Sequence, residues 1–306
     1  MSLVPSGAQH EITHGDQRAT VVEVGGGIRA YAAGERDVLD PFPLEAMSDG
    51  AHGLPLIPWP NRLQDGSYEF GGEQRQVDLT EPEKHNAIHG FLRWRNWDVV
   101  EHEAARVVMG TRLHPRPGYP WGLEVRVAYG LDDDGLTTTT TIENLAGEPC
   151  PVAAGQHPYL SPGAGAVLDD CTLQLDAATR ILTDPERQLP TGQEAVAGTD
   201  FDFRSPRSIG DLEIDFAFRD LGRDGAGRTW TRLTGPDGAT AGLWVDEAYA
   251  FVELYTGDTL APERRRRGLG CEPMTCAPNA FRSGDGLRVL EPGERLVARW
   301  GATLET

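Results

Sequence analysis

The hydrophobic pattern of this chain alternates with a period of two rather than three to four, so it predicts strands. Leu123-Glu124-Val125-Arg126-Val127-Ala128-Tyr129 alternates apolar with polar or small residues, and Thr137 to Ile142 is almost purely β-branched. Asp132-Asp133-Asp134-Gly135 supplies turn chemistry between them, which predicts a hairpin. The same reasoning pairs Trp230–Leu233 with Ala241–Val245 across Gly235-Pro236-Asp237-Gly238, and Leu287–Leu290 with Leu296–Trp300 across Glu291-Pro292-Gly293-Glu294. Helical spacing rarely persists beyond two turns, while 37 glycines and 22 prolines interrupt the chain at short intervals. An all-β fold is expected, a large antiparallel β-sandwich with few short helices and with long loops at Gly72–Asn86 and Thr179–Gly198.

No repeat, low-complexity tract or Pro/Ser-rich linker divides the sequence, so residues 1–306 are expected to form one domain, with 1–18 peripheral or poorly ordered. Met1-Ser2-Leu3 reads as an expression scar. A net charge of -19 argues against nucleic acid and anionic membrane surfaces as partners. Monomer and homodimer both remain open. The early residues are polar and no run of 18 apolar residues occurs, so a cytoplasmic protein is expected. Four cysteines without metal-site spacing point to free thiols and no structural metal.

Against that background Glu272 stands out, a carboxylate among Cys271, Pro273 and Met274. Burial there disfavours its charge, so it is either functional, paired with an arginine from Arg264–Arg267, or a surface residue on a half-buried strand. His157 precedes a proline, which biases it toward extended backbone, and follows the apolar Val152-Ala153-Ala154. His89 precedes Gly90, where a missing side chain would let a ligand approach. Either histidine would equally serve as a core or loop residue bonded to backbone. His10, His14, His52, His85, His102 and His114 lie in polar or loop contexts and read as surface residues. The strip from Pro55 to Leu63 is stiffened by prolines, offers Trp59 as a stacking face, and ends in Asn61-Arg62 with a rigid guanidinium. Asp215 is an acid beside Phe216, placed to bind hydroxyls or simply to belong to an acidic loop.

Taken in order, Asn61-Arg62, His89-Gly90, Gly155-Gln156-His157-Pro158-Tyr159, Asp215 and Glu272-Pro273 with Asn279-Ala280-Phe281 resemble the aldose 1-epimerase (galactose mutarotase) family over roughly residues 20 to 304. Ile57–Arg62, Asn86–Gly90, Arg93-Trp94-Arg95 and Glu272–Thr275 resemble most the bacterial branch that includes the sulfoquinovose mutarotase. The resemblance implies a galactose mutarotase-like supersandwich that interconverts the anomers of a free aldose without cofactor or metal. It makes Glu272 the general base and His157 the general acid, with Arg62, His89 and Asp215 holding the sugar. Asn61 and Tyr159, from the same motifs, are expected to join that binding set.

Opening a hemiacetal removes a proton from the anomeric hydroxyl and delivers one to the ring oxygen, work suited to a glutamate and a histidine on opposite sides of the ring. An apolar pocket would strengthen the glutamate as a base. Arg264–Arg267 would attract a sulfonate or phosphate, or else offset nearby acids on a solvated loop. An anionic-sugar mutarotase (hexose 6-phosphate or sulfoquinovose) is one alternative. Another is a non-catalytic carbohydrate-binding sandwich that uses Trp59, Trp94, Trp97 and Trp121 as platforms. A glycosidase pairing Asp215 with Glu272 is the third.

Overall fold

A computed structural model describes residues 3–305. Met1 and Ser2, two residues of the expected scar, lie outside it. Two large antiparallel sheets make up the sandwich. One has twelve strands and runs in the order Gln9–His14, Gln17–Val22, Ile28–Ala33, Arg36–Leu39, Tyr159–Leu160, Leu269–Met274, Phe251–Tyr255, Asp215–Leu221, Ala177–Thr183 and Pro190–Ala195, with Gly155–Gln156 and Pro55–Leu56 joined beside Leu269–Met274. The other has nine strands, centred on Gly135–Asn144, Arg295–Glu305 and Thr240–Val245. The N-terminal stretch expected to be peripheral supplies Gln9–His14, the edge strand of the first sheet, with Ile12 buried. Among the described residues no helix is long and apolar enough to cross a membrane.

Alternation sorts the side chains as the sequence suggests. Leu123, Val125, Val127, Tyr129 and Leu131 of Leu123–Asp132 point into the core, while Arg126 and Asp132 face solvent. The hairpins Leu123–Asp132/Gly135–Asn144 and Thr229–Thr234/Thr240–Val245 form in the expected places.

The third expected hairpin does not form. Arg288–Leu290 pairs with Cys150–Val152, and Arg295–Glu305 instead fills the gap between Gly135–Asn144 and Thr240–Val245. Asn144 enforces the split: its side chain donates to the Leu290 carbonyl at 2.8 Å, and its backbone N–H donates to the Glu294 carbonyl at 3.1 Å. The long loops are also more regular than expected. Thr179–Gly198 holds the Ala177–Thr183/Pro190–Ala195 hairpin, and Gly72–Asn86 holds the strand Glu73–Gln76 and a short turn of helix at Pro82–Lys84.

One buried network ties the sheets together beside His157. Gln156 donates to the Tyr129 hydroxyl at 2.9 Å and accepts from the Trp300 indole at 3.0 Å, joining the first sheet to two strands of the second. All three residues are fully buried, so each polar atom needs such a partner. His157 is the next residue.

Candidate active site

Leu269–Met274 is buried along its whole length, as befits a strand inside the first sheet. Pro273 in such a strand removes one ladder donor. On that side Cys271 N–H donates to the Pro158 carbonyl and Thr275 N–H to the Ala154 carbonyl, both at 2.9 Å. Between them Gln156 pairs with Pro55 and His157 with Gly53-Leu54: Gly53 N–H donates to the His157 carbonyl and His157 N–H to the Leu54 carbonyl. The missing proline donor thus coincides with a break in the ladder at His157, across which the register is unchanged.

There His157 meets Glu272. Its Nε2 lies 3.0 Å from Glu272 Oε1, and both side chains are about 5% exposed or less. The Glu272 partner is therefore a histidine, not one of the upstream arginines. Behind the His157 ring, Tyr159 stacks at a centroid distance of 4.9 Å and 12° tilt, and His52 stacks on Tyr159 at 4.0 Å and 8°. His52, expected on the surface, is 2% exposed, and its Nε2 lies 2.6 Å from the Asp40 carbonyl. Its polar sequence context concealed the apolar rings that bury it, Tyr159 and Phe42.

His157 and Glu272 form one wall of a cleft of about 500 Å³ that Asn61, Arg62, His89 and Asp215 also line. Of the seven expected site residues only Tyr159 is absent from the lining; it sits behind His157, its hydroxyl donating to the Gly50 carbonyl at 3.1 Å. Trp59 is buried against Phe91 and Phe281, and Trp97 and Trp121 are in the core, so of the four tryptophans only Trp94 reaches the cleft.

Asn61 organises the opposite wall. It adopts a left-handed backbone, φ 54°, which asparagine tolerates well. Its N–H donates to His89 Nδ1 at 3.1 Å, and its Oδ1 accepts the Arg62 N–H at 2.7 Å. Because Nδ1 accepts, the His89 proton is on Nε2. Burial also pushes His89 well below the ordinary imidazole range, assisted by Arg93, so the ring is a neutral donor. This argues against a metal: His89, His157 and Glu272 have ligand atoms within 4.8 Å of one another, but a histidine whose Nδ1 accepts from backbone has no lone pair free at Nε2. Gly90 lets this turn pass the Ile57 carbonyl, which a Cβ would approach to 2.0 Å.

Three cleft residues, Glu81, Lys84 and Gln188, carried no motif. Glu81 takes Arg62 in a two-point pair, at 2.8 Å from Nε and 2.9 Å from Nη2. Lys84 lies 3.5 Å from Glu81 and contacts Gln188, which in turn donates to Asp215. Burial raises the Asp215 carboxyl above its ordinary range, while Arg62 and Gln188 pull it back. Arg93 lines the cleft without a carboxylate within 4 Å among the described residues; burial lowers it to about 10. Arg264–Arg267 do not line the cleft: Arg264 bonds Asp40 at 2.6 Å, and Arg266 bonds Asp169 and Asp258.

The sequence profile described as aldose 1-epimerase matches residues 8–301. The chain is similar to the uncharacterized protein YihR of Escherichia coli K12, 34% identical over 292 residues, covering 94% of this chain and 91% of that one. It is also similar to the aldose 1-epimerase of Escherichia coli K12, 30% identical over 49% of this chain and 44% of that one. Among solved structures, the galactose mutarotase/aldose epimerase homologue of Caenorhabditis elegans superposes with a TM-score of 0.85 at 19% identity, covering 97% of this chain and 98% of that one, a likeness of fold.

Proposed function

The chain belongs to the aldose 1-epimerase family, and from that premise we propose that it interconverts the α and β anomers of a free aldose by acid–base ring opening and reclosure. The observation that carries this reading is the His157 Nε2–Glu272 Oε1 contact of 3.0 Å at the wall of the cleft. The two groups lie side by side rather than on opposite sides of a ring. That suits the reaction, because the hydroxyl and ring oxygens they must address are both attached to the anomeric carbon. Glu272 removes the hydroxyl proton, His157 Nε2 protonates the ring oxygen, and the carbon–oxygen ring bond breaks as the aldehyde forms. Rotation about the bond to the neighbouring carbon presents the other carbonyl face, and reclosure reverses both transfers. Asp215 accepts from sugar hydroxyls; His89 Nε2–H and Arg62 donate to them.

A second reading narrows the substrate to an anionic sugar, and Arg93 favours it. It is a cation facing the cleft with no carboxylate within 4 Å among the described residues, beside the half-exposed Trp94. The non-catalytic carbohydrate-binding reading is disfavoured because it gives the buried His157–Glu272 pair no task, and three of its four proposed platforms lie in the core. Anomer exchange followed by NMR on glucose, galactose, glucose 6-phosphate and sulfoquinovose tests both readings. Acceleration above the spontaneous rate on at least one sugar is expected; none on any would overturn the mutarotase reading. Equal rates on neutral and anionic sugars would overturn the narrower one.

A further inference from the structure

The Asn279-Ala280-Phe281 motif takes no part in the proton transfers, yet it joins the two walls of the cleft. Asn279 follows closely on Leu269–Met274, the strand that carries Glu272. The chain between them is pinned. Thr275 N–H donates to the Ala154 carbonyl and Thr275 Oγ1 accepts the Ala154 N–H, both at 2.9 Å, and Cys276 and Ala280 pack with Ala153.

On the other wall Arg62 begins the ribbon Arg62–Gln64/Asn86–Ile88. Bonds along an antiparallel pair fall on alternate residues, and His89 N–H donates to the Asn61 carbonyl at 3.0 Å, so the Arg62 carbonyl and the Gln64 N–H point off the open edge. Asn279 takes both: its N–H donates to the Arg62 carbonyl at 2.8 Å, and its side-chain Oδ1 accepts the Gln64 N–H at 3.0 Å. A further strand would make the same two-bond bridge, and here a side-chain carbonyl stands in for a backbone one. The backbone carbonyl of Asn279 is occupied elsewhere. At φ 63° it accepts from the Arg282 and Ser283 N–H groups at 3.0 and 3.1 Å and so starts the short helix Ala280–Ser283. Asparagine suits the position because it tolerates left-handed backbone and carries a second carbonyl. Phe281 docks the same helix edge-on against Trp59, at 5.3 Å between ring centroids, and against Tyr68, at 5.0 Å.

We propose that Asn279 is a positioning residue: by closing the open edge of the ribbon it fixes the Arg62 backbone against the strand of Glu272, and so sets how Arg62 reaches the sugar. The inference rests on the mutarotase reading, in which Arg62 donates to sugar hydroxyls.

Asn279→Gly and Asn279→Asp test it. Glycine keeps the left-handed backbone and loses the Oδ1 acceptor, so KM is expected to rise about 5- to 20-fold while kcat stays within about threefold. Aspartate keeps the acceptor and is expected to hold KM within about threefold of wild type. Because Asn279 acts through Arg62, adding Asn279→Gly to Arg62→Lys is expected to change kcat/KM by less than about twofold. Hydrogen exchange at the Gln64 amide, read by NMR, is expected to be slowed more than about 100-fold in wild type and to speed up in the glycine variant. A folded glycine variant with wild-type KM, a fall in kcat as large as the rise in KM, an aspartate variant as impaired as glycine, or multiplicative effects of the two substitutions would each overturn the proposal. If the glycine variant does not fold, the wild-type Gln64 amide decides, and exchange at the free-chain rate would overturn it. Wild type without anomer exchange on any sugar would instead be a failure of the mutarotase reading, and the Gln64 amide would still report the bridge.

Discussion

The wall of the cleft that carries His157 and Glu272 is sheet, whereas the wall that carries Arg62, His89, Lys84, Arg93 and Gln188 is a two-stranded ribbon and loops. On the first wall the backbone is held by ladder bonds on several strands, the rings behind His157 are stacked, and the Gln156 network ties it to the second sheet. On the second wall Asn61, His89 and Gln188 all adopt left-handed backbone, and the segments are secured by side chains: Arg187 bonds Asp65, Asn86 and the Lys84 and His85 carbonyls to bring Gln188 to the cleft. On the proposed mechanism, rigid sheet holds the groups that exchange protons at fixed distance, and adaptable loops hold those that select the sugar.

The largest expected break in this contrast is His157→Ala, which leaves the loop wall intact. On the proposed mechanism it lowers kcat by about 100- to 10,000-fold with KM little changed, as measured by NMR anomer exchange. Gly90→Ala attacks the other wall, since a Cβ would collide with the Ile57 carbonyl at a left-handed position. We expect it to cost about 2–4 kcal/mol in denaturant unfolding and to raise KM more than it lowers kcat.

His52 sharpens the comparison by probing the support of the sheet wall. Burial pulls it down to about 3, so the folded state keeps it neutral while the unfolded chain protonates near 6.5. The stability it contributes is complete above pH 6.5 and is lost as pH falls toward 3. Relative to His52→Gln, wild type is expected to lose about 1.4 kcal/mol per pH unit below 6.5. Asp40, raised to about 6 by burial, has the opposite slope: its contribution is complete below the ordinary carboxylate range and is lost as pH rises through 6. Subtracting the variant from wild type, by urea unfolding at each pH, isolates His52. The smallest effect is on selectivity. Arg93→Gln is expected to weaken anionic sugars about tenfold and neutral ones hardly at all, while Arg264→Gln, whose guanidinium serves Asp40, should shift neither preference.

Strand-type alternation made the sandwich legible, because period-two burial is a local property of each strand. Strand pairing is not local, and the hairpin expected at Glu291–Glu294 failed because Asn144, far away in sequence, claims both sides of that turn. His157 and Glu272 were visible through their neighbours, a proline and an apolar strand. Arg93 stood inside a familiar motif, but sequence could not tell that it would have no carboxylate within 4 Å among the described residues while Arg264 and Arg266 found theirs. Lys84 and Gln188 had no signal, since each reaches the cleft through contacts about a hundred residues away in sequence.

The central claim is that Glu272 is the base of an anomer exchange, and the most direct measurement is the exchange rate by NMR of purified wild type beside Glu272→Gln, an isostere that retains the bulk and loses the charge. The account predicts exchange well above the spontaneous rate in wild type and a fall of about 100- to 10,000-fold in the variant at unchanged melting temperature. Exchange in a folded Glu272→Gln protein at the wild-type rate would contradict it.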